Sequence, residues 1–134
     1  MWGIRRKSNG WIYITSKVHH AKIWQAYEKA GWPLSCSWIW MKLNPKNKRQ
    51  MARAWIKMIS DCRRTRVLIV YLEEGEQLKG GLAEIGAVLA SGGKIFSVGF
   101  MPCLDEGNRD FSQAITQFPD MDSALAAALE ACKP

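Results

Sequence analysis

At 134 residues, 48% of them hydrophobic, the chain is long enough to bury one core without disulfides or metals, and too apolar to stay disordered. No apolar run approaches the ~20 residues needed to cross a bilayer, and no apolar signal core follows the basic start. No membrane partner or secretion signal is therefore expected, and a cytoplasmic location is. The net charge of +7 concentrates in Arg5, Arg6 and Lys7 and along residues 42–66. The outer face of an amphipathic helix gives that pattern, so a nucleic-acid partner is not expected, although small anionic ligands would be drawn to such a field. Cys36, Cys62, Cys103 and Cys132 show no CxxC spacing and read as free thiols in a reducing compartment.

In chain order, residues 1–10 read as an exposed lead-in and residues 11–16, WIYITS, as a first strand. The polar loop Ser16, Lys17, Val18, His19, His20 follows. A helix is expected over about 20–30, with Ile23, Tyr27 and Ala30 at helical spacing facing the sheet and Gly31 at the C′ position. Residues 34–40 read as a second strand. Asn44-Pro45 marks a loop, and the longest helix follows over about 47–63. Its stripe of Met51, Ala54, Trp55, Met58, Ile59 and Cys62 is assigned to the core.

Residues 67–98 form the central unit. The β-branched run at 67–71 is a strand buried on both faces; an acidic loop leads to a helix opened by Gly80-Gly81, and a further strand covers 94–98. A loop with Pro102 and Gly107 then reaches a weak strand at 115–118 and a terminal helix over about 121–131. Such alternation predicts a single α/β domain, a three-layer sandwich around a flavodoxin-like, doubly wound, five-stranded parallel sheet. In that class ligands bind at the carboxyl ends of the strands, so the loops at 16–20 and 72–80 should line one cleft.

Glu84 falls in the first turn or so of the helix after that acidic loop. The helix dipole favours its ionised form there by about 0.3–1 kcal/mol. Gly80 and Gly81 let a sugar or phosphate approach backbone N–H groups. An acid in a first turn is also favourable with no function at all. Of the loop acids Glu73, Glu74 and Glu76, the last is nearest the helix and is the preferred general acid or base. Ser16, Lys17 and His19 are candidates to hold a phosphate or ribose hydroxyl, and Trp38 to stack on a base. Adjacent histidines lack metal-ligand spacing and have no obvious third ligand, so no metal site and no cofactor are expected.

The run Leu78-Lys79-Gly80-Gly81-Leu82-Ala83-Glu84-Ile85-Gly86-Ala87 resembles the signature helix of the nucleoside 2-deoxyribosyltransferase-like superfamily. ITSKVHHAKIW is similar to the substrate-facing first loop of small phage-encoded members. The resemblance implies cleavage or transfer at the N-glycosidic bond of a small-molecule nucleoside or nucleotide, with Glu84 as nucleophile, in a homo-oligomer. It departs from the family at Leu78, six residues before Glu84, where deoxyribosyltransferases carry an aspartate. That departure points to a second reading, a non-catalytic module of the same fold that senses or sequesters a nucleotide.

Overall fold

A computed structural model of the chain describes residues 10–99 and 114–133. Residues 1–9 of the lead-in expected over 1–10, and the loop with Pro102 and Gly107 expected after residues 94–98, lie outside the described residues. Among those described, four strands form one sheet in the order β1-β2-β3-β4, with β1 at Ile12–Thr15, β2 at Val67–Tyr71, β3 at Lys94–Val98 and β4 at Ile115–Phe118. Every ladder is parallel, with Ile12 opposite Val67, Val67 opposite Lys94 and Ile95 opposite Ile115. Successive strand residues point to opposite faces. Because Ile12, Tyr13, Ile14 and Thr15 are all buried, as are Val67 to Val70, both faces of the sheet centre are shielded from water. β4 ends the sheet order among the described residues, with Thr116 and Gln117 exposed.

Among the described residues, four helices cover this sheet: α1 at Ala21–Lys29, α2 at Lys48–Arg63, α3 at Gly81–Ala90 and α4 at Met121–Ala131. α4 packs on β2 and β3, while α2 lies along α3. The Asn47 side chain caps α2 by accepting from Gln50 N–H at 3.0 Å, and Asp120 caps α4 through Ser123 N–H at 2.7 Å. Gly31, at φ +107°, ends α1 in the left-handed conformation that only glycine adopts freely. No helix among the described residues is long and apolar enough to cross a membrane.

Two expectations need correction. The second strand expected over 34–40 is absent: Leu34 makes a lone parallel bridge to Ile12, and Ser37–Trp40 is a 3-10 turn. The bridge is made by Ile12 N–H donating to Pro33 O and Ser35 N–H donating to Ile12 O, and competing partners end the pairing there. Asp61 then captures Ser37 N–H at 3.0 Å, and the Trp38 indole N–H donates to Ile14 O at 2.8 Å, where a strand would have continued. The described sheet therefore has four strands, not five. Secondly, α1 is rotated from its expected setting. Trp24 is buried, whereas Ile23 and Ala30 are exposed and Tyr27 half-buried. The Trp24 indole donates to Ser16 Oγ at 2.8 Å and meets the Tyr71 ring edge-on at 5.1 Å, and this pair of contacts fixes the helix phase.

Candidate functional site

The two-residue period of β1 places Tyr13 and Thr15 on the same face of the sheet. α3, entered from the neighbouring strand, brings Glu84 over that face in its first turn. The Tyr13 hydroxyl donates to one carboxylate oxygen of Glu84, and Thr15 Oγ1 donates to the other at 2.8 Å. The approach is tight, and the glycines allow it. A methyl group at Gly81 would lie 2.7 Å from Thr15 Oγ1 and 2.5 Å from Leu78 Cδ1; one at Gly80 would lie 2.7 Å from the Trp55 ring.

Glu84 is 5% exposed. Burial pushes its carboxyl above the ordinary carboxylate range, the hydroxyls of Tyr13 and Thr15 pull it part of the way back, and the negative charge of Asp61 adds a smaller upward push. Burial and the adjoining Glu84 hold the Tyr13 hydroxyl protonated far above its usual range, so it remains a donor.

Above this pair opens a cleft of about 380 Å³. The loop after β1 (Ser16, Lys17, Val18) lines one side and residues 77–81 the other, as expected for the carboxyl ends of β1 and β2. Trp38, Met41, Met51, Trp55 and Met58 contribute the apolar wall. The stripe on α2 assigned wholly to the core therefore divides: Ala54 and Cys62 are buried inside, while Met51 and the half-buried Trp55 border the cleft.

Of the residues singled out from sequence, Glu84, Ser16, Lys17, Trp38, Gly80 and Gly81 line this cleft. Besides Glu84, held by Tyr13 and Thr15, and Lys17, whose Nζ lies 3.5 Å from Gln77 O, two more of these have polar groups already engaged. Ser16 Oγ accepts from the Trp24 indole and donates to Lys17 O, and the Trp38 N–H is bound to Ile14 O. Trp40, in the same turn as Trp38, does not line the cleft, and its indole donates to Glu28 at 3.1 Å.

Glu76 and His19 are not among the residues lining the cleft. Glu73 N–H donates to Glu76 Oε1 at 2.8 Å, turning the carboxylate toward His20 Nε2 at 2.9 Å and His19 Nε2 at 3.1 Å. Burial pushes the Glu76 carboxyl up, but the Glu73 N–H and the two imidazoles outweigh it and leave it below the ordinary range. Glu76 is thus the third oxygen or nitrogen donor that the paired histidines lack in the sequence. The ground for expecting no metal ligands there is corrected, and His19, His20 and Glu76 could together hold a metal ion.

Tyr13 and Thr15 were not singled out from the sequence. Their signal lay in the alternation of WIYITS, which sets them on one face, but their partner is 71 and 69 residues away. No family model, curated protein or solved structure matches the chain.

Proposed function

We propose that the chain cleaves, or transfers at, the N-glycosidic bond of a nucleoside or nucleotide, with Glu84 as nucleophile. The observation that carries this reading is the Glu84 carboxylate, held by two hydroxyls at the floor of a cleft with an apolar wall. A flat base fits against Trp38, Trp55 and the methionines, with the anomeric carbon of its sugar over Glu84. The carboxylate attacks that carbon as the bond to the base nitrogen breaks, and the bonding electrons leave with the base. Water then resolves the glycosyl ester in hydrolysis, or a second base does so in transfer. Glu84 is the one carboxylate among the described residues lining the cleft, so the leaving base takes its proton from water. Lys17 and Lys79 line the same cleft and suit a 5′-phosphate.

The flavodoxin-like, three-layer arrangement belongs to this reading. It is supported by burial on both sheet faces and by Leu34, which bridges β1 on the side away from β2, where the second strand of that topology runs. A homo-oligomer rests on the resemblance alone.

The second reading, nucleotide binding without turnover, is favoured by Leu78. It is buried in the cleft lining where the resembled superfamily carries an aspartate. Incubation with nucleosides, deoxynucleoside monophosphates and NAD, followed by chromatography of freed base, separates the two. Release that drops on the order of 10³-fold or more in Glu84→Gln supports the nucleophile. Ligand-induced melting shifts without released base support the binding module. Equal release by wild type and variant overturns the role of Glu84.

A further inference from the structure

We propose that His19, His20 and Glu76 form a binding site for a divalent transition-metal ion of the zinc class, independent of the Glu84 chemistry. Successive side chains in a 3-10 turn point about 120° apart, yet the imidazoles of His19 and His20, adjacent in the turn Val18–His20, converge on one oxygen. Glu76 Oε2 lies 2.9 Å from His20 Nε2 and 3.1 Å from His19 Nε2, and the three donor atoms lie within 4.8 Å of one another. Two imidazole nitrogens and a carboxylate oxygen are a zinc donor set. Tetrahedral bonds of about 2.0–2.1 Å separate such donors by roughly 3.3 Å, so small side-chain shifts complete the geometry.

The surroundings fix the ligands. Glu73 N–H binds Glu76 Oε1 and leaves Oε2 for the ion. His20 is buried and meets the Tyr71 ring edge-on at 5.3 Å. Its Nε2 is 3.9 Å from Glu73 Oε1, and Tyr71 Oη donates to the other oxygen of Glu73 at 2.7 Å. Glu73 Oε1 is therefore at hand for a fourth position, and the 67% exposed His19 leaves a side open to water. The ion would tie the loop after β1 to the loop after β2. These loops also meet at Lys17 Nζ and Gln77 O, 3.5 Å apart, so the metal would brace the rim of the cleft.

The test is titration of the purified, untagged full chain with Co²⁺ and with Zn²⁺, read by optical absorption and calorimetry. One equivalent of Co²⁺ should produce d–d bands of a four- or five-coordinate ion without thiolate charge-transfer absorption. Zn²⁺ should displace it and raise the melting temperature, whereas Mg²⁺ should do neither. His19→Ala removes an exposed ring and keeps the fold, and Glu76→Gln removes the shared oxygen. Each should weaken binding at least about tenfold. No uptake at stoichiometric concentration, a thiolate signature, or affinity unchanged in His19→Ala overturns the proposal.

Discussion

Tyr13 sets how readily Glu84 ionises. Its hydroxyl stabilises the anion that burial disfavours, so Tyr13→Phe should raise the Glu84 pKa further. If Glu84 acts ionised, the acid limb of the rate profile lies above the ordinary carboxylate range and moves to still higher pH in the variant. Carbon-detected NMR of the Glu84 carboxyl checks the shift even where no turnover is found, and an unmoved titration refutes the role of Tyr13. Glu84 was legible as a candidate because a helix-start acid after two glycines has a local signature. Its hydroxyl partners were not, since a contact across some 70 residues leaves none. Glu76 shows the converse: nearest to the helix in sequence, it turns toward His20 because Glu73 N–H holds it that way.

Elements with strong local signals match the expectation closely. α2 runs Lys48–Arg63 against an expected 47–63, and the cap on its first turn explains the sharp start. Asn47→Ala should destabilise the fold by about 1 kcal/mol, read by denaturant unfolding. The segment 34–40 failed because its apolar residues suit a strand and a packed turn equally well. Asp61 and Ile14, remote in sequence, decide between them. α3 carries its own constraint at Gly81. Gly81→Ala should cost about 1–3 kcal/mol through overpacking on Leu78 and Thr15. It should also displace Thr15 from Glu84, so a variant with wild-type stability and wild-type Glu84 titration would contradict the tight approach.

For the whole molecule, Glu84 and Glu76 bias stability in opposite directions. The folded state holds the Glu84 proton beyond the pH at which the unfolded chain releases it, so stability falls as pH rises from the ordinary carboxylate range to the raised folded value. Glu76 has a depressed folded value. Its contribution is present above the ordinary range and is lost as pH falls through the folded value. In a pH series of melting curves, Glu84→Gln should remove the loss on the alkaline side of this window and Glu76→Gln the loss on the acid side. Unchanged profiles would count against both assignments. The side of β1 away from β2 has a further consequence. Ile12 is bracketed by Pro33 and Ser35, Ile14 O is taken by an indole, and Ile14 N–H meets the Cys36 sulfur. Unpaired backbone groups on a strand are a template on which another chain can add. Here a proline, a thiol and a tryptophan ring occupy that template, which protects this flank from edge-to-edge aggregation while the same ring walls the cleft.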